Sequence, residues 1–243
     1  MIFLDKLRSR RIRNAVLIGI LMLFLSCNGE KLESDAISYL NGKYSGSVSK
    51  QKVDNKFEVV VDFTVEKNVD ENDLMLLDNI RNIKVFRMSR GSITEKAVES
   101  LKSQKKLEIL SLEDTNLTDK GLQKICLNHP NLERLFLNNT PVTSEGLKYI
   151  GKLEKLQILE LRATKIDDKA AVYLSEMKNI DTLELSNTNI SDKSIPSLMN
   201  FKKLGLMHIV HTEITREGAQ VLIDHYKKIT SREIVSWDPE KSW

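Results

Sequence analysis

The chain has 243 residues, enough for one large domain or two small ones. Its 41% hydrophobic and 29% charged residues are ordinary for a globular protein and exclude disordered and collagen-like classes. The formal net charge of +3 suggests a nucleic-acid binder only until it is located. Lys6, Arg8, Arg10, Arg11 and Arg13 stand against Asp5 in residues 1–26, and the rest of the chain carries 32 basic and 33 acidic side chains. A nearly neutral body has no general pull on a phosphate backbone, so no nucleic-acid partner is expected.

Met1 to Asn14 is a basic segment, and Ala15 to Leu25 is an unbroken apolar run of 11 residues. A bilayer span needs about 20 such residues, whereas a signal-peptide core needs about this many. Leu25-Ser26-Cys27 follows at once. This resembles the lipobox of bacterial lipoproteins, with Phe24 where that family usually has leucine. The resemblance implies cleavage before Cys27 and lipidation of that residue, and two or more acyl chains hold a protein stably to a membrane. A plain secretory signal and an uncleaved anchor are the alternatives. Ser9-Arg10-Arg11 resembles a twin-arginine signal only weakly, because Arg13 occupies a place that prefers an apolar residue.

The expectation is therefore an exported, membrane-associated lipoprotein on the periplasmic or cell-surface side, with residues 1–26 as its signal. Cys126 is then the only remaining thiol, and no intramolecular disulfide forms. Residues 27–56 read as a polar tether containing a short helix around Ala36, Ile37, Tyr39 and Leu40.

From residue 83 the chain repeats itself. Ile83, Leu107, Leu132, Leu156, Ile180 and Leu204 open units of 24–25 residues. Three and five residues later stand further apolar side chains, such as Leu110/Leu112 and Leu159/Leu161, a short strand with alternate residues in a core. Eleven residues into each unit comes Thr94, Thr118, Thr143, Asp167, Ser191 or Thr215, each a good helix N-cap. Acids follow in the first turn, where the helix dipole favours them. Three residues past the cap the side chain is small (Ala97, Gly121, Gly146, Ala170, Ser194, Gly218), which lets neighbouring helix starts approach. Thr115, Thr140, Thr164, Thr188 and Thr212 recur in the turn after the strand, with Gly91 in the first unit. Their hydroxyls are expected to bond to adjacent coils, satisfying buried backbone groups.

One unit cannot fold alone, because about six buried side chains at ~1.5–3 kcal/mol each do not offset ordering two dozen residues. Stacked units succeed, and both ends then need covers. Residues 57–82, with Phe57 to Phe63 and Leu74/Leu77, read as a degenerate opening repeat. Residues 83–228 hold six repeats, and residues 229–243 a closing cap whose strand lies in Ile229–Trp237.

These units resemble leucine-rich repeats of the Thr-x-Ile-Thr-Asp-x-Gly-Leu type, found in F-box-associated repeats and in bacterial lipoproteins. Leu117-Thr118-Asp119-Lys120-Gly121-Leu122 is the cleanest copy. His129-Pro130-Asn131-Leu132 is similar to the cysteine-containing variant, with His129 in place of the cysteine. The resemblance implies an α/β fold: a right-handed solenoid shaped as a horseshoe, parallel strands on the concave face and helices on the convex face. No F-box precedes the repeats, which leaves a ubiquitin-ligase adaptor as a remote alternative.

In such a horseshoe the residues between the core leucines point outward. The first outward column is Val85, Ile109, Arg134, Ile158, Thr182 and Leu206. Beside it run Arg87, Ser111, Phe136, Glu160, Glu184 and His208, then Ser89, Glu113, Asn138, Arg162, Ser186 and Val210. An aromatic with arginines beside an apolar strip resembles a binding hot spot, although such residues also simply suit strands. The candidate partner-binding residues are Arg87, Ile109, Arg134, Phe136, Asn138, Ile158, Glu160, Arg162, Leu206 and His208. The partner is read as an unidentified protein, and a structural or self-associating envelope role is the alternative.

Chemistry is not evident. The sequence holds no G-x-S-x-G elbow, no phosphate-cradling glycine loop and no H-E-x-x-H. His208 and His211 lie on a strand and its exit, so their side chains should diverge rather than share a metal. Asp167-Asp168 is explained by capping, and Cys126 by packing beside Ile125. No enzyme activity, cofactor, metal or small-molecule substrate is expected.

Overall fold

A computed structural model describes residues 29–53, 56–66 and 69–237; the signal-like segment and Cys27 lie outside them. Among the described residues nine strands form one open sheet in strict chain order. They are β1 (Val48–Val53), β2 (Lys56–Phe63), β3 (Ile83–Met88), β4 (Ile109–Ser111), β5 (Arg134–Phe136), β6 (Ile158–Glu160), β7 (Thr182–Glu184), β8 (Leu206–His208) and β9 (Val235–Ser236). β1 runs antiparallel to β2, and every later neighbour is parallel. Val85, Ile109, Arg134, Ile158, Thr182 and Leu206 lie side by side in register, so the sequence period is the sheet. The expected solenoid, with strands on one face and helices behind, is what the chain forms.

The core is one continuous column. Leu110, Leu135, Leu159, Leu183 and Met207, the middle residues of successive strands, are fully buried, as are Leu112, Leu137, Leu161, Leu185 and Ile209 two residues on. Each coil has little core of its own and is stabilised by the coils on either side.

The caps act as the sequence indicates. Thr94, Thr118, Asp167, Ser191 and Thr215 accept backbone N–H bonds from the first helical turn. The helices that follow are unequal. Asp119–Asn128 is ten residues long and Arg216–Thr230 fifteen, whereas Gly146–Lys152 is a 3-10 turn and Asp192–Ser194 passes from 3-10 into a short helix, Ile195–Leu198. Gly151 and Pro196, poor helix formers absent from the two long helices, stand in those units, whereas Gly146 has counterparts in Gly121 and Gly218 and does not distinguish them.

The first helical residue of one coil also ties the next coil. Asp119 accepts from the N–H and hydroxyl of Thr143 at 2.8 and 2.7 Å, and Asp192 does the same for Thr215. Asp168 holds Ser191 through both groups and Ser194 through its hydroxyl. This explains the glycines three past the cap in two units: a Cβ on Gly146 would stand 2.5 Å from the Asp119 carboxylate, and one on Gly218 2.2 Å from Asp192.

Three expectations are corrected. Residues 29–53 are not a tether. Gly29–Lys43 forms a helix (α1) that buries Ala36 and Leu40, and β1 extends the sheet. Asp73 of the opening coil accepts bonds from Lys43, Tyr44 and Tyr39, and the Tyr44 ring meets Phe63 edge-on at 5.3 Å. With so few apolar residues, this segment shows its packing only in three dimensions.

The threonine hydroxyls do not bridge coils. Thr115, Thr140, Thr164, Thr188 and Thr212 each donate to the carbonyl three residues earlier in their own turn, at 2.6–2.8 Å. The link between coils comes from the residue just before each threonine, which is left-handed at φ 55–57° (Asp114, Asn139, Ala163, Asn187, His211). The N–H groups of Asp114, Asn139, Ala163 and Asn187 donate to the next coil's carbonyl at 2.9–3.0 Å.

At the far end the helix Arg216–Thr230 continues through Ile229, leaving only Val235–Ser236 as the closing strand. Trp237 packs, half-buried, against the core beside it.

Candidate functional site

The strand face divides by charge. In its first part the charges answer one another. The Lys84 ammonium lies 2.9 Å from Glu58 and 2.7 Å from Glu108, and these bonds hold it protonated well above the usual lysine range. Arg87 lies 3.3 Å from Asp62. Partial burial opposes ionisation of Asp62, but bonds from Thr64 and the Arg87 guanidinium keep its carboxyl below the usual range. Arg87, expected to meet a partner, is thus engaged within the solenoid.

From β5 onward the pattern changes. Arg134 is exposed between half-buried Ile109 and Ile158, and Phe136 is half-buried between Ser111 and Glu160. Glu160 and Glu184 stand directly opposite each other on adjacent strands, an arrangement that like charges disfavour. Burial holds the Glu160 carboxyl above its usual range, and the negative charges of Glu113 and Glu184 add to this. No ion pair involves Arg134, Glu160, Arg162 or Glu184 among the described residues.

Asn138 is withdrawn from the surface. It is 5% exposed, donates to Glu113 at 2.7 Å and Glu160 at 2.6 Å, and accepts from the Arg162 N–H at 2.9 Å. Its role is to hold two carboxylates and the next coil in place. The first outward column is also less apolar than the sequence suggests. Arg134 and Thr182 interrupt it, and only Leu206, at 37%, is a substantially exposed aliphatic. His208 is half-buried beside Glu184. Glu113 and Glu184 belong with the candidate residues. Their columns are legible in the sequence, but their clash with Glu160 emerges only once the register is known.

Cys126 is 1% exposed, and burial pushes its thiol up to about 12, consistent with packing. His211 sits in a left-handed turn with Nδ1 3.2 Å from Asn187, whereas His208 lies in β8. No cluster of three or more His, Cys, Asp or Glu side chains suited to a metal occurs among the described residues. No helix among them is long and apolar enough to cross a membrane.

Comparison with known proteins agrees with this architecture. Residues 103–126 match the model of a leucine rich repeat. No curated protein matches the chain. Among solved structures it is similar to an internalin C2 of Listeria monocytogenes, with a TM-score of 0.55 and 13% identity, covering 84% of this chain and 92% of that one. It is also similar to an internalin, inlF, of the same organism, with a TM-score of 0.50 and 14% identity, covering 68% of this chain. The chain spans half the length of that second protein. At such identities the likeness concerns the fold alone. In-register parallel strands, capped helices behind them and these matches make the chain a leucine-rich-repeat solenoid, its strands on the concave face and its helices on the convex face.

Proposed function

We propose that this is a non-enzymatic protein-binding module, exported and held at the bacterial envelope through a lipidated Cys27, which engages its partner on the concave face across β5 to β8. One observation carries the binding reading. Arg134, Phe136, Glu160, Arg162 and Glu184 form a surface with aromatic and charged groups but no ion pairs among the described residues, beside a half whose charges are already matched. Facing carboxylates beside a half-buried aromatic are costly to a solenoid on its own, even with Asn138 and the Ser186 N–H donating to them, and a complementary protein surface relieves that cost. Leu206 and His208 extend this surface toward the end of the sheet.

The test is the double variant Arg134→Glu with Phe136→Ala, assayed for partner association in the native host. The expected outcome is loss of association with an unchanged circular dichroism spectrum. A folded double variant that associates like the parent rules out the concave-face assignment. Mass spectrometry of the mature N-terminus tests the envelope reading separately, with an acylated Cys27 as the expected species.

A further inference from the structure

Each coil of the solenoid returns from helix to strand through a loop whose tip is the pair of residues just ahead of the first core side chain. Across the six units these tips carry Lys105, Lys106, Lys155, Lys178, Lys202 and Lys203, all exposed. Arg81 adds a seventh basic group at the first tip, and Glu154 is the one acid at these positions. Glu176 and Asp181 lie nearby but do not pair with them. None of the six lysines joins an ion pair among the described residues, whereas Lys84, Lys124 and Lys148 elsewhere do. Their recorded contacts are to neutral oxygens: Lys105 to the Asn128 carbonyl at 3.2 Å, Lys155 to Asn131 at 2.8 Å and Lys203 to Asn179 at 2.7 Å. Helix dipoles do not explain the concentration, because the lysines lie three or more residues beyond the helix ends, past the last turn where that effect acts. On the opposite edge the exposed turn tips are mostly uncharged, with Arg90 and Lys165 offset by Asp114 and Glu213, and the exposed lysines at the helix starts there, Lys96, Lys120 and Lys169, each follow an acid, Glu95, Asp119 or Asp168.

The chain's entry point lies on this same basic edge. Gly29, the first residue of α1, sits against Arg81, so closely that a Cβ there would stand 2.3 Å from the guanidinium. A lipid on Cys27 leaves only two residues before α1, a reach of at most ~7 Å. Between the fourth and fifth return loops a cleft of about 740 Å³ is lined by four lysines, Lys148, Lys152, Lys155 and Lys178, against two acids, Glu154 and Glu176, beside Tyr149.

We infer that the return-loop edge is a docking surface for anionic phospholipid headgroups, laying the solenoid edge-down on the bilayer with its strand face open to a partner. The inference rests on the reading that Cys27 carries the lipid, which would supply one membrane signal while the lysines supply the second.

The test uses the mature chain from residue 27 with Cys27→Ser, which keeps every described element and carries no lipid. It is sedimented with vesicles of phosphatidylglycerol and phosphatidylcholine in equal parts, or of phosphatidylcholine alone, at about 0.1 M salt. Binding only to the anionic vesicles is expected, weakened about tenfold or more by Lys105→Glu, Lys155→Glu and Lys203→Glu together. Lys96→Glu, Lys120→Glu and Lys169→Glu, the same charge change on the opposite edge, should leave it unaltered. Absence of vesicle binding, equal loss from both triple variants, or equal binding to phosphatidylcholine alone overturns the inference. A separate mass measurement on Cys27 from the native host distinguishes the two readings. Lysine-dependent vesicle binding with an unmodified Cys27 upholds the edge and removes the anchor, and the reverse pattern removes the edge alone.

Discussion

The two halves of the concave face are built from the same repeat and treat charge differently. Around β2 to β4, Glu58, Lys84, Glu108, Asp62 and Arg87 alternate in sign along the stacking direction, and adjacent coils neutralise one another. Around β5 to β8 stand Arg134, Glu160, Arg162 and Glu184, with two carboxylates opposite each other and no ion pair to any of them among the described residues. The first half spends its charge on stacking, and the second keeps it for something else. A repeat fold therefore does not announce its binding surface by being periodic. The surface shows where the internal pairing fails.

The largest expected effect follows directly. Arg134→Glu with Phe136→Ala should weaken partner binding by about 100-fold or more, as loss of an aromatic–arginine hot spot does. Arg87→Glu, in the matched half, should change affinity by no more than about threefold in the same assay, because its partner is Asp62. Similar losses from both variants would erase the distinction between the halves.

Next in size is the tie between coils. Asp168→Ala removes the acceptor of the Ser191 N–H, the Ser191 hydroxyl and the Ser194 hydroxyl, and should lower unfolding free energy in urea by ~2–3 kcal/mol. Its binding should be unchanged below the unfolding transition, separating stability from recognition.

Acid should then act in opposite senses on two groups, His129 at a helix end and Glu160 on the strand face. Burial of His129, 1% exposed, lowers its pKa to about 4, whereas the unfolded chain takes up the proton near 6.5. The unfolded state binds more protons between those values, so stability falls as pH drops from about 6.5 toward 4, by on the order of 2–3 kcal/mol. His129→Cys, the residue that similar repeats carry there, should flatten that slope in pH-dependent urea titrations. Glu160 has the other sign. Its carboxyl holds a proton more tightly when folded, so its contribution to stability improves as pH falls through its titration and is lost as pH rises.

The smallest effect is the most specific to the comparison. Glu184→Gln removes the charge facing Glu160 and should stabilise the fold by ~0.2–1 kcal/mol near neutral pH. It should also bring the Glu160 titration, followed by NMR, down toward the ordinary glutamate range. No shift in that titration would mean that burial and Glu113 set it without Glu184.

Much of this architecture is legible in the sequence because a solenoid writes its geometry once per turn. The spacing from Ile83 to Leu204 gives the strand register, and Thr118-Asp119 with Gly121 gives cap, first turn and close approach. What escapes is whatever the repeat does not encode in residue type. The left-handed residue before each threonine is Asp114, Asn139, Ala163, Asn187 or His211, and with no glycine among them the position reads as an ordinary turn. The packing of α1 escapes because its buried side is only Ala36 and Leu40, with its polar lock to Asp73 closed across about thirty residues of sequence. The candidate site was half legible. Its columns follow from offsets, but the withdrawal of Asn138 and the facing of Glu160 with Glu184 depend on which side chains meet once the coils stack.

The most direct test of the account places a photo-crosslinking residue at position 136, with one at position 148 on the helical side of the same repeat as control. After irradiation in the native host, mass spectrometry of the membrane fraction reads the adducts. The account predicts a discrete protein adduct at 136 that is absent at 148. Equal labelling at both positions, or none at either, contradicts it, and the unmatched half of the strand face would then have no partner to answer its charge.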